Sequence, residues 1–66
     1  MTLIEIQGKE LVLRFPIEEL LVINNALNEV CNGIEMSEFH MRIGASVDEV
    51  RDILNGVGSA LDRASA

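Results

Sequence analysis

The chain has 66 residues with one cysteine and one histidine, which exclude an internal disulfide and argue against a structural zinc site. Its formal net charge of −6, with five scattered Lys and Arg residues, argues against binding to nucleic acid or to an anionic membrane. A domain this short is marginally stable alone, and 48% of its residues are hydrophobic. The composition therefore predicts a homo-oligomer, and a dimer is the commonest closed assembly.

The N-terminus and the longest apolar runs predict where the protein is found. MTLIEIQ has no basic region followed by the apolar run of a signal peptide. No apolar stretch approaches the roughly 20 residues needed to span a bilayer. Because no stretch could span a bilayer and the net charge is negative, we expect no contact with a membrane. Because the chain has a lone cysteine, we expect a reducing cytoplasm.

Residues 2–15 predict a β-hairpin with Gly8 and Lys9 at its turn. A glycine at the first turn position suits a type II′ turn. This turn places Ile6 opposite Leu11, and the same register continues without interruption to the open end.

The predicted register gives the hairpin two different faces. We expect the more apolar face to pack on the following helix; it takes Ile4, Ile6, Leu11, Leu13 and Phe15. Leu3 and Val12 fall on the other face and are candidate protein-interaction residues, because a twofold partner could extend the ribbon to four strands. The alternative is that both are isolated surface hydrophobes.

Residues 16–33 predict a long central helix. Pro16 suits its first position, and Gly33 suits a left-handed C-terminal cap. Apolar residues recur at helical spacing on one side, at Ile17, Leu20, Ile23, Leu27, Val30 and Ile34.

Three asparagines, Asn24, Asn28 and Asn32, recur on the polar face of this helix. Their amides could hydrogen-bond a partner chain, or they could bond one another along the helix. We favour the local interpretation and keep the three residues as candidates for protein interaction.

Residues 36–62 predict a helix-turn-helix, and residues 63–66 a frayed tail. Ser37 is a candidate N-cap for the first of these helices. Ser46 and Glu49 have the spacing of a capping box at the start of the second.

The period of the last helix continues past Gly56, so we expect that helix to run through this glycine. The predicted fold is a single α+β domain over residues 1–66. It consists of an N-terminal β-hairpin, a long central helix and a C-terminal helix-turn-helix.

The segment from Phe39 to Gly56 resembles the helix-turn-helix of bacterial repressors. Gly44 falls in the turn, Ser46 follows it, and Val50 and Ile53 fall at the positions that anchor the second helix. The segment departs from the repressor pattern at its histidine, where that family usually has a small residue.

The repressor resemblance implies that exposed positions of the second helix contact DNA, with Val47 and Arg51 as the DNA-binding residues. Asp48, Glu49 and Asp52 would face the same phosphates and repel them. A DNA-binding transcriptional regulator is therefore the alternative function. We interpret the three carboxylates instead as a surface for a protein partner of basic character.

A second resemblance covers most of the chain. The stretch ALNEVCNGIEMSEF, followed by RIGAS, is similar to a family of short uncharacterised bacterial proteins. That resemblance implies no activity.

Cys31 and His40 are the residues most suited to chemistry, and a thiolate–imidazole pair would need them within hydrogen-bond reach. We predict that Cys31 is a small buried hydrophobe and that His40 is a surface or helix-packing residue. The sequence has no phosphate loop or nucleophile elbow. We therefore expect no catalytic, cofactor or metal site, and predict a non-enzymatic interaction module that acts as a homodimer or as a small subunit binding another protein.

Overall fold

The computed structural model describes residues 1–65 and confirms the α+β class. Two antiparallel strands, β1 (Thr2–Gln7) and β2 (Glu10–Arg14), form an N-terminal hairpin. Three helices follow: α1 (Ile17–Gly33), α2 (Met36–Ile43) and α3 (Val47–Ser65). The predicted end of the last helix at residue 62 was too early, because α3 continues to Ser65; Ala66 lies outside the described residues.

The hairpin follows the predicted register only near its turn. Gly8 has a φ of 60°, and beyond it Gln7 pairs with Glu10 and Ile6 with Leu11. The register then shifts between Leu3 and Glu5, because the intervening Ile4 forms a β-bulge.

The bulge changes the predicted face of Leu3. Leu3 pairs with Leu13 rather than lying opposite Arg14, and directly paired residues share a face. Leu3 therefore lies on the more apolar face, and its predicted place on the polar face was wrong. Val12 pairs with Glu5 and remains on the polar face.

The hairpin does not pack on the central helix, which corrects the second expectation for this segment. Within residues 1–65, no Cα of either strand comes within 8 Å of a helical Cα, sequence neighbours aside. Every residue of both strands is exposed. Phe15, just beyond β2, is half-buried.

The ends of α1 differ from those predicted. Pro16 precedes the first helical residue as its N-cap, and its carbonyl accepts hydrogen bonds from the amides of Glu19 and Leu20. Gly33 stays helical and does not form a left-handed cap, because the chain leaves the helix in an extended conformation at Ile34.

The turn between α2 and α3 is formed by a glycine and a capping box. Gly44 adopts a left-handed conformation with φ 83°, and its amide bonds the carbonyl of His40. The Ser46 hydroxyl accepts a 3.1 Å hydrogen bond from the Glu49 amide, and the Glu49 carboxylate accepts a 3.3 Å bond from the Ser46 amide. The predicted capping box is thus confirmed, whereas Ser37 is not an N-cap because Glu35 precedes α2.

A small apolar core lies where the three helices meet. Phe39 of α2 is its centre and is only 2% exposed. It packs with Cys31 of α1 and with Val47 and Val50 of α3, and half-buried Leu27, Val30, Ile34, Ala45 and Leu54 surround this cluster. α3 packs along α1 and against α2, so the helices form one layer of structure from which the hairpin projects.

Candidate protein-interaction surfaces

The hairpin presents a continuous row of uncovered apolar side chains, here called the hairpin apolar face: Leu3, Ile6, Leu11 and Leu13. They share one side of the ribbon because they form the pairs Leu3–Leu13 and Ile6–Leu11. All are exposed, Ile6 at 64% and Leu11 at 60%. The alternation of the two strands predicts most of these side chains in the core, so they were not predicted as contact residues.

The first turns of α1 add a second group of exposed apolar side chains, Ile17, Leu21 and Val22. The Met1 amino group donates to the Glu19 carboxylate, so the start of β1 lies beside this end of α1. The broad apolar stripe from Leu20 to Ile23 was the available signal, because so wide a stripe requires cover on two sides.

The three candidate asparagines of α1 have two different environments. Asn32 donates through its side-chain amide to the carbonyl oxygen of Asn28 at 2.8 Å and to the side-chain oxygen of Asn28 at 3.2 Å. This contact agrees with the local interpretation. Asn24 is half-buried, and it lies with Asn28 along a shallow polar groove between α1 and α3, which also has Asn55, Ser59 and Asp62 in its wall.

The start of α3 presents its carboxylates to solvent, as Asp48, Glu49 and Asp52 are all exposed. Two of them lie in the first turn, where negative charge is stabilised by the helix dipole. Glu49 is already engaged in the capping box, so helix initiation accounts for part of this acidic cluster.

The candidate DNA-binding residues are not presented together. Arg51 is exposed, but Val47 is 8% exposed and belongs to the core cluster. The expectation that Val47 faces a groove was therefore wrong. Val50 anchors α3 as the repressor resemblance implied, whereas Ile53, its second expected anchor, is exposed.

The two residues most suited to chemistry occupy opposite environments. Cys31 is buried among apolar side chains, as predicted, whereas His40 is exposed. Among the residues that the structure describes, no group of three or more His, Cys, Asp or Glu side chains is placed to hold a metal ion.

Comparisons with family models, curated proteins and solved structures found no match for this chain. Across residues 1–65, no helix is both long enough and apolar enough to cross a bilayer.

Proposed function

We propose that this protein is a non-enzymatic interaction module that associates with a second copy of itself. The surface that we assign to this contact is the hairpin, where the strand edge and the hairpin apolar face are both uncovered, together with the exposed apolar side chains at the start of α1. The observation that supports the proposal is the amount of apolar surface left uncovered: among the side chains that the structure describes, exposed large apolar ones outnumber the four residues of the buried core.

The total surface area indicates how much surface a partner would need to cover. The chain exposes 5283 Å², whereas a compact monomer of its 7.3 kDa mass exposes about 4,200 Å² by the usual scaling with molecular weight. The difference of about 1,100 Å² resembles the roughly 800 Å² that each partner buries in a standard interface. One interface would therefore bring this chain to the exposure of an ordinary small protein.

The dimensions of the chain agree with this accounting. Its radius of gyration is 13.3 Å, compared with about 11 Å for a compact domain of this length. The hairpin contributes to this excess because it packs on none of the three helices. Covering the hairpin removes apolar area from water, which stabilises an assembly by roughly 25 cal/mol per Å² before the costs of association.

Sedimentation equilibrium tests the proposal directly. We expect the wild-type chain to sediment as a dimer at tens of micromolar, about the range in which weak dimers are populated. Leu11→Lys places a charge in the hairpin apolar face on β2, and we expect it to raise the fraction of monomer because the ammonium group must lose hydration in the interface.

Met41→Lys is the matched control for this experiment. Met41 is 87% exposed on α2, so replacing this apolar side chain by lysine should leave the dimer intact. A wild-type chain that remains monomeric would overturn the proposal, and so would equal effects of the two substitutions. A monomer that forms a stoichiometric complex with a different protein would instead support the small-subunit function.

A further inference from the structure

The two edges of the hairpin are not equally able to pair with another strand. The edge of β1 is interrupted by the bulge at Ile4, and bulges of this kind bend a strand and disrupt further pairing. β2 is regular from Glu10 to Arg14, and in residues 1–65 its outer side has no neighbouring strand or helix. The free backbone groups of β2 are therefore the ones available to a partner.

The position of the turn determines which backbone groups of β2 point outward. In an antiparallel ladder, pairs that exchange hydrogen bonds alternate with pairs that do not. The two-residue turn closes on the Gln7–Glu10 pair, so Glu10 and Val12 direct their backbone groups toward β1. Leu11 and Leu13 direct theirs away from β1, and these groups need partners whenever the edge is covered.

We propose that β2 pairs antiparallel with β2 of a second copy, about a twofold axis at Val12, to form a four-stranded sheet. This inference rests on the proposed function, because it specifies how the two copies meet. In this register, Leu11 of each copy exchanges backbone hydrogen bonds with Leu13 of the other. All five residues of β2 are then paired.

The charges of β2 are complementary in this register. Glu10 and Arg14 lie at the two ends of the strand, each two residues from Val12. Antiparallel pairing about Val12 places Glu10 of each copy opposite Arg14 of the other, on the face that also holds both Val12 side chains. Opposite charges directly across a sheet stabilise the pairing, whereas like charges there destabilise it.

The neighbouring symmetric registers lose this complementarity. A twofold axis at Leu11 would place Leu13 opposite Lys9 in the turn, so less of the strand would be paired. An axis at Leu13 would place Glu10 opposite Pro16, beyond the end of β2 at Arg14, so less of the strand would again be paired and Glu10 would lose its opposite charge. The register about Val12 is therefore the one that combines full overlap with opposite charges.

The twofold axis also brings the apolar faces together. Because the axis is perpendicular to the sheet, the hairpin apolar faces of both copies lie on the same side. The two rows then form one wider apolar surface, in which Leu11 and Leu13 of each copy lie directly beside Leu13 and Leu11 of the other, and Ile6 lies one strand further out.

Charge reversal at the ends of β2 tests the register. Glu10→Arg alone would place two arginines opposite each other at both ends of the interface, and Arg14→Glu alone would place two glutamates there. We expect each variant to raise the dimer Kd about tenfold. Mixing the two variants restores Glu–Arg pairs at both ends, so the mixture should form heterodimers with a Kd near the wild-type value.

The control reverses charges outside the strands, with Glu29→Arg on α1 and Arg51→Glu on α3, both at exposed helical positions. We expect each control to change the Kd much less than charge reversal in β2 does. Mixing the two controls should give no increase in affinity. Circular dichroism of each variant establishes that it has the helix content of the wild type.

The outcomes separate this inference from the proposed function. A wild-type dimer with no effect of β2 reversal, or with no preference for the heterodimer on mixing, would overturn the pairing of β2 and leave self-association standing. A wild-type monomer would overturn both. A gain in affinity on mixing, limited to the β2 variants, supports the register about Val12.

Discussion

At the scale of single residues, the junction between the turn and α3 is fixed by two reciprocal hydrogen bonds. Ser46 and Glu49 each satisfy a backbone amide of the other residue, and these amides would otherwise lack a partner at the start of the helix. Val47 follows directly and is buried against Phe39. The box therefore positions the residue that attaches α3 to the core.

We expect Ser46→Ala to lower the free energy of unfolding by about 1 kcal/mol, because the Glu49 amide loses its acceptor. Urea denaturation followed by far-UV circular dichroism measures this loss, since the chain has no Trp or Tyr for fluorescence. Ser37→Ala is the control: Ser37 is exposed within α2 and is not its N-cap, so its change should stay within about 0.5 kcal/mol. A larger loss at Ser37 than at Ser46 would contradict this account of the helix start.

At the scale of elements, two glycines have opposite structural roles. Gly44 ends α2 in a left-handed conformation with φ 83°, which residues with a Cβ adopt only at a cost in free energy. Gly56 is an ordinary residue of α3, and the space around its missing side chain is open. Their surroundings do not differ in steric room, so any difference between them arises from the backbone conformation.

We expect alanine substitutions at these glycines to change stability in opposite directions. Gly44→Ala should reduce the free energy of unfolding by about 1–2 kcal/mol, because alanine is strained in the left-handed region. Gly56→Ala should increase it by up to about 1 kcal/mol, because alanine favours the helix. Denaturant titration of both variants measures the difference, and a stabilising Gly44→Ala would show that the turn is not left-handed in solution.

Sequence predicted the elements whose determinants are local. The capping box and the continuation of α3 past Gly56 depend on residues within one or two turns, so their spacing was sufficient. The predicted cap at Gly33 was wrong because the chain leaves α1 in an extended conformation at Ile34, which requires no left-handed residue. The predicted register was wrong at the bulge for a different reason: Leu3 and Ile4 are both large and apolar, so two registers satisfy the same pattern.

The candidate site was less predictable because it depends on contacts between distant segments. The alternation in β1 and β2 indicates one apolar face, and we assumed that α1 would cover it. The structure leaves that face open, and no local pattern distinguishes cover by the same chain from cover by another chain. Val47 was likewise misplaced, because the packing of Phe39 against α3 determines which side of that helix faces inward.

At the scale of the whole molecule, the buried core is small: it has four residues among the side chains that the structure describes, in a chain of 66. Chains of this size have small margins of stability, and here the hairpin adds little because its side chains remain in water. Association through the hairpin would add buried apolar area to the folded state alone. Folding and assembly should therefore be thermodynamically linked.

This linkage predicts that the Tm depends on the concentration of the chain. We expect the Tm of the wild type to rise over an approximately hundredfold increase in concentration. Only folded chains dimerise, so a higher concentration stabilises the folded state. The Leu11→Lys variant should have a lower Tm with little dependence on concentration. Thermal unfolding by circular dichroism measures both, and a constant Tm for the wild type would indicate that the folded monomer is stable by itself.

The bulge at Ile4 has a consequence for the size of any assembly. A ribbon with two regular edges could recruit strands at both sides without end, which is how open-ended fibrils grow. Here only one edge is regular, and pairing about a twofold axis consumes that edge in both chains. In the proposed dimer, a single irregular residue would therefore stop strand addition beyond two copies and protect an apolar ribbon from polymerisation through its edges.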